Sequence, residues 1–406
     1  MKIFQRKQRS MFLVLMVIVL TAGSRFVQAD TANCGGAMTS LPFTDVSASN
    51  IFFCSIAQAY FTGLTNGTSP TTYSPGNPVT RDQMAAFITR TQDSALKRGS
   101  RRAAAGQWAT PQNVSLLNIT YVGNGPQFNC FDGEDIWVAN FAGDSVTRVH
   151  ASDGRSLGTW TGASSAQSTI VAGGFIYVIG RETPGKLYRI DPSQPPGAVT
   201  LVSSNLGSLP VSVTYDGLYL QTANMGTGPG LGSITRYNLV SDIATTTATG
   251  FNQPAGVVFD GTDLWVVDAG DDALYRVNAA HSAIVDTLDL GTITSSIAIP
   301  AFDGSNIWVP ITNGIKVVSA SDPPRLLATL TGNGLNGDNL AAAFDGERVM
   351  VTNPGGTTVS LWKASSLTPL GNLNLGTGKS PGGVCSDGLH FWIAVNIPGS
   401  DFLMRF

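Results

Sequence analysis

The chain has 406 residues, of which only 13% are charged, and a net charge of −3. That balance argues against a nucleic-acid partner, because phosphate binding needs a basic surface. Low charge combined with 46 glycines and abundant Ser and Thr suits a rigid, loop-rich extracellular β protein.

The first residues set the compartment. Lys2, Arg6, Lys7 and Arg9 form a basic start, and Met11 to Ala22 is an apolar run of 12 residues. Val27-Gln28-Ala29 then offers a small-residue cleavage site before Asp30. Residues 1–29 therefore read as a secretory signal peptide. A membrane anchor would need roughly 20 apolar residues. No later span is long and apolar enough to cross a bilayer. The mature protein is expected to be exported to the cell surface, periplasm or extracellular space, and at most peripheral to a membrane. In that setting Cys34 and Cys54, which close a short loop, are the expected disulfide.

Residues 38–92 read as a small helical module. Phe53, Ile56 and Tyr60 recur at helical spacing, and Gly63 follows as a C-terminal cap. Asn66-Gly67 with Pro70, Pro75 and Pro78 makes the next segment a loop. Thr80 starts a second helix, and Gln83 three residues on completes a capping box. Asp82 sits in the first turn, where the helix dipole favours a carboxylate. Met84, Phe87 and Ile88 form the expected buried stripe, and the helix runs to about Arg98 before Gly99.

The module resembles the S-layer homology domain in Phe43-Thr44-Asp45-Val46, in the run Ile56 to Leu64, in Tyr73-Ser74-Pro75 and in the run Pro78 to Phe87. The resemblance implies binding to pyruvylated cell-wall polysaccharide, with Thr80-Arg81-Asp82-Gln83 contributing. Thr80, Asp82 and Gln83 already serve as caps. Arg81, with Thr80 beside it, is therefore the glycan-binding candidate, since a guanidinium grips a carboxylate in a bidentate way. The family's usual Thr-Arg-Ala-Glu is Thr-Arg-Asp-Gln here. The module also occurs once, where wall-binding members usually carry three copies packed as a pseudo-trimer. A unit of about 55 residues buries little core alone. It is expected to dock on the remainder of the chain or to self-associate as a trimer.

Residues 93–112 read as a solvated linker carrying Lys97, Arg98, Arg101 and Arg102, then Ala103-Ala104-Ala105-Gly106.

From residue 113 to 406 one pattern recurs. Its clearest copy is Phe259-Asp260-Gly261-Thr262-Asp263-Leu264-Trp265-Val266-Val267-Asp268. The Asp positions are 132, 216, 260, 303, 345 and 387, with a weak copy at Ala172-Gly173-Gly174. Successive steps are 40, 44, 44, 43, 42 and 42 residues. Each repeat reads as a short strand, an Asp-Gly turn and three further strands. Seven such units imply a seven-bladed β-propeller. The last repeat ends after three strands, and Val114 to Tyr121 is the surplus strand that completes it, closing the ring by strand exchange. Cys130 and Cys385 occupy equivalent positions in the first and last repeats. Either they bridge and lock the ring, or they stay as buried free thiols.

Trp137, Trp265, Trp308 and Trp392 share one repeat position and read as inter-blade core. The repeated Asp residues read as turn formers. Loops after each second strand should gather on one face. They carry Asn140, Asn224, Asp268, Asn313, Asn353 and Asn396. The segment Met225 to Gly232 and the pair Asp271-Asp272 differ between repeats, and variable loops on a fixed scaffold are where binding usually lies.

The array resembles the lactonase-like propellers with the Tyr-Val-Thr-Asn repeat and the streptogramin lyase group. The lyase group uses a His, acidic residues and a divalent metal. Here His150, His281 and His390 sit at no common repeat position and in no metal-ligand spacing. No nucleophile with an activating base is visible either. The sequence thus points to an exported, envelope-associated protein, with a module for attachment and a non-catalytic propeller that binds a polysaccharide or protein. No cofactor is expected. The alternatives are a metal-dependent lyase or lactonase-type enzyme, in which a divalent metal would sit in the central channel, and a structural surface-layer component.

Overall fold

The computed structural model describes residues 30–34, 37–61, 64–99, 119–278, 280 and 283–406. Residues 1–29, Gly63, His281, most of the linker and Val114–Asn118 of the expected exchange strand lie outside them. The chain forms two compact units that divide near residue 95.

In the first unit, a hairpin of β1 (Thr31–Cys34) and β2 (Ala37–Ser40) precedes helices α1 (Phe53–Phe61) and α2 (Arg81–Gly99). Strand β1 thus precedes residue 38 and packs with the first unit. The reason is a disulfide between Cys34 in β1 and Cys54 in α1, with Cα atoms 5.4 Å apart. The core is small: Leu41, Phe43, Val46, Phe53, Ile56 and Ala57, with Tyr60 and Tyr73 packed on its edge. Asp45 organises the loop above it. Its two carboxylate oxygens accept the N–H groups of Tyr73 and Ser74 at 2.8 and 2.7 Å. Gly67 allows that loop to close, because a Cβ there would lie 2.4 Å from the Phe43 ring.

One expectation for α2 fails. Met84 and Ile88 are 48% and 60% exposed, and Phe87 is only half-buried. The stripe has the right spacing, but the small core closes against α1 without it among the described residues.

The second unit is a seven-bladed β-propeller of seven four-stranded antiparallel sheets. Blades 1 to 6 span residues 126–161, 166–206, 210–251, 254–289, 301–331 and 341–374. Blade 7 takes three strands from residues 380–405 and its fourth from Ile119–Tyr121. In that exchanged pair Ile119 lies opposite Met404 and Tyr121 opposite Phe402. The first strand of each blade packs on the first strand of the next, and blade 7 returns to blade 1, so the ring is closed. First strands therefore line the axis and fourth strands form the rim. Blade 5 has the shortest first strand, Ala301–Phe302.

Each Asp-Gly turn is a compact clamp. In blade 4, Asp260 Oδ1 accepts the N–H groups of Thr262 and Asp263 at 2.7 and 2.8 Å. Its Oδ2 accepts the indole N–H of Trp265 at 2.7 Å. Asp132–Trp137, Asp303–Trp308 and Asp387–Trp392 repeat the bond at 2.7, 2.7 and 3.0 Å. Gln221 and Arg348 take the indole's place in blades 3 and 6. All four tryptophans are fully buried between blades. Gly261 supplies the φ of +101° that the turn requires. Blade 2 has no carboxylate here and turns instead on two left-handed glycines, Gly173 and Gly174.

Two outcomes test this account. Deleting the last five residues removes buried Phe402, Leu403 and Met404 and leaves the exchanged strand without a partner. A stability loss of roughly 5 kcal/mol or more is expected, read as a large fall in Tm with aggregation. In a double-mutant cycle, Asp260→Ala and Trp265→Phe should couple by about 1–2 kcal/mol, because the bond joins a charged acceptor to a buried donor. Simple additivity in denaturant melts would show that the clamp carries no energy.

Candidate functional site

In the first unit, the capping box forms at the start of α2. Gln83 Oε1 accepts the Thr80 N–H at 3.0 Å, and Thr80 Oγ1 accepts the Gln83 N–H at 3.4 Å. The Thr80 hydroxyl also donates to Asp82, and this bond holds the Asp82 carboxyl below the usual range. Thr80 is thus engaged in the cap. Arg81 is exposed at the first helical position and makes no ion pair among the described residues.

In the propeller, the loops after the second strands do share one face, because each second strand ends opposite the start of a first strand. Four of their six Asn and Asp residues, however, point inward, whereas Asn313 is exposed and Asn396 half-buried. Asn140, Asn224, Asp268 and Asn353 are fully buried. Asn140 Nδ2 donates to Ser145 and Thr147 at 3.2 and 3.0 Å. Asn224 Nδ2 donates to Ser233 and Thr235. Asn353 binds Gly334, Asn336 and the Gly356 N–H. Asp268 accepts N–H groups from Asn252, Gln253, Gly270 and Asp271 between 2.8 and 3.2 Å. Burial raises the Asp268 pKa despite those donors. These four are loop staples and not surface ligands: a strand end must satisfy its turn before anything else. Asp271 stays at the surface, where it accepts the Tyr275 hydroxyl at 2.9 Å and the Asn252 amide at 3.2 Å.

The cysteines separate as well. Cys130 packs with Trp137 and Trp160 toward blade 2, while Cys385 packs with Ile136 and Val138 of blade 1. Equivalent positions point the same way around the ring, so the two thiols face different interfaces and are free. Burial pushes the Cys130 thiol up to about 12 and Cys385 well above its ordinary value. Neither is a nucleophile at neutral pH.

His150 Nδ1 lies 2.7 Å from Asp135, which also holds Arg148. His390 lies 3.3 Å from Asp387. Both histidines therefore brace blade edges. Among the described residues, no group of three or more His, Cys, Asp or Glu side chains is placed to hold a metal.

What sequence reasoning missed is the mouth of the central channel. Leu209, Val211 and Met225 of blade 3 share one apolar cluster with Phe128 of blade 1, Ile297 and Ile299 of blade 5 and Leu340 of blade 6. No residue of blades 2 or 4 belongs to it, so blade 3 meets the others across the axis. This part of the axis is thus lined by hydrocarbon. On the same face lies a set of residues that each follow a second strand: Phe141, Arg181, Met225, Ala269, Thr312, Pro354 and Ile397. In blades 1 to 4 each gives its N–H to the residue just before the first strand, at 2.8 to 3.1 Å. A cavity of about 200 Å³ opens beside the ring between Met225, Gly226, Gly228, Pro229, Asn252 and Gln253. The signal for this ring was the repeat period itself, read one residue beyond the conspicuous Asn.

Residues 42–85 match the S-layer homology domain family. Among solved structures, a hydrazine synthase chain of Kuenenia stuttgartiensis is similar at 15% identity and TM-score 0.58, over 73% of this chain and 99% of that one. A catalytically inactive virginiamycin B lyase from Staphylococcus aureus, solved with quinupristin, is similar at 15% identity and TM-score 0.56, over 71% and 99%. At that identity the likeness is one of fold. A comparison with curated proteins finds no match.

Thiol titration checks the cysteine assignment. The native protein should leave an aromatic disulfide reagent unreacted at pH 8, and two thiols should appear on unfolding without reductant. Rapid reaction of the native protein would contradict the half-buried, protonated state.

Proposed function

We propose that this is an exported protein held at the cell envelope by its S-layer homology module, displaying the propeller as a non-catalytic binding module. The match over residues 42–85 carries the attachment half, because such domains typically bind envelope polysaccharide. Arg81 fits as the contact. It is exposed at a helix N-terminus, where the dipole and its own charge both favour an acidic sugar substituent. The exposed Met84 and Ile88 beside Val79, which is 50% exposed, support self-association of the module.

The binding half rests on the channel mouth, where an apolar ring and a cavity replace the hydrogen-bonded staples found elsewhere on that face. Concave, mostly apolar sites with few polar groups are the usual form of a ligand site. A propeller enzyme of the lyase type is the second reading, and the shared fold favours it.

Fractionation of the native envelope tests attachment. The wild-type protein should sediment with the wall, and Arg81→Ala should shift at least half of it to the soluble fraction while leaving Tm unchanged. A wild-type protein found wholly in the soluble secreted fraction would remove the attachment reading.

A further inference from the structure

One member of the mouth ring departs from the other six. Arg181 stands where the other blades carry neutral side chains. Its N–H is fixed by the Ser165 carbonyl at 3.0 Å, and its Nη2 lies 3.4 Å from Met225 Sδ. Arg181 is half-buried, and among the described residues its guanidinium meets no carboxylate. The acids around it are engaged. Glu182 holds Lys186 at 2.5 Å and also accepts the Ser164 hydroxyl. Asp144 accepts the Ser165 N–H at 2.7 Å. Burial alone shifts the Arg181 pKa, and it shifts it downward, with no opposing charge.

A second donor lies on the axial strand of the same blade. Gln167 is 1% exposed, and its Nε2 has no acceptor. A half-buried cation without a carboxylate and a buried amide N–H without an acceptor each carry a desolvation cost. Phe141, Met225 and Ile397 give the ring an apolar character, and the cavity of about 200 Å³ starts at Met225. That volume falls below the roughly 300–1,000 Å³ of drug-sized sites, so it suits a small molecule or the end of a larger one.

We propose that the channel mouth binds an organic monoanion, with a carboxylate on the Arg181 guanidinium and an apolar body against Met225 and the adjoining cavity. This rests on the reading that the propeller binds its ligand at the mouth, and it is independent of envelope attachment.

The test uses the purified full-length mature protein, with hexanoate titrated by calorimetry at constant ionic strength. Hexanoate should bind and raise Tm, while 1-hexanol and hexylammonium should not. Arg181→Met should weaken hexanoate at least tenfold, and Arg181→Lys only a few-fold. Without ligand, Arg181→Met should keep or raise Tm, because it removes an unpaired cation. A lower Tm would mark Arg181 as a structural residue and overturn the proposal. Undetectable hexanoate binding, or equal binding to Arg181→Met, would overturn it too. Sulfate binding as tightly as hexanoate would overturn the apolar half of the assignment. None of these failures touches the wall-fractionation result, so the two readings fall separately.

Discussion

The bond between a turn carboxylate and an indole five residues later holds the propeller's repeats to one geometry. One oxygen of Asp260 closes the turn on two N–H groups, and the other fixes the Trp265 ring. The indole can then lie fully buried between blades without leaving its N–H unsatisfied. A buried Trp is large enough to set the distance to its neighbour, so the turn and the inter-blade spacing are linked through one side chain. Where the indole is missing, Gln221 and Arg348 keep the same carboxylate occupied. Blade 2 lacks the carboxylate and substitutes a pair of left-handed glycines, which conserves the turn by conformational freedom in place of hydrogen bonds.

Ring closure adds a second constraint, because the last blade must approach the first as closely as any other pair. Gly383 shows the cost of space there. A Cβ would come within 2.6 Å of the Gln127 carbonyl and the Phe128 Cα. Asn129 then ties blade 1 to blade 7 through the Trp392 carbonyl at 2.9 Å. With the blades locked in this way, apolar side chains from several blades gather in one cluster at the axis. Most of the conspicuous polar residues on the loop-bearing face are consumed in holding the loops, whereas Arg181 meets no carboxylate among the described residues.

The first unit obeys a different economy. Six buried apolar side chains are few for a folded module. The Cys34–Cys54 bridge, spanning 20 residues, restricts the unfolded chain and compensates by about 3 kcal/mol. The same shortage of core leaves Met84 and Ile88 of α2 exposed.

Much of this was legible from the amino-acid sequence. The period of 40 to 44 residues, the turn signals and the three-stranded last repeat define seven blades and the strand exchange, because strand alternation and Asp-Gly turns are local and every copy repeats them. The capping box of Thr80 and Gln83 was readable for the same reason. Orientation was not. Whether Asn140 faces solvent or its own loop depends on how the second and third strands pair. Whether Cys130 and Cys385 meet depends on which blade interface each faces. Met84 and Ile88 have a core spacing but no core to enter. The ring that sets Arg181 beside Met225, 44 residues away in sequence, exists only once the blades close around an axis. Local hydrogen bonding and hydrophobic period are properties of a segment, whereas burial, pairing and the absence of a counter-charge belong to the assembled ring.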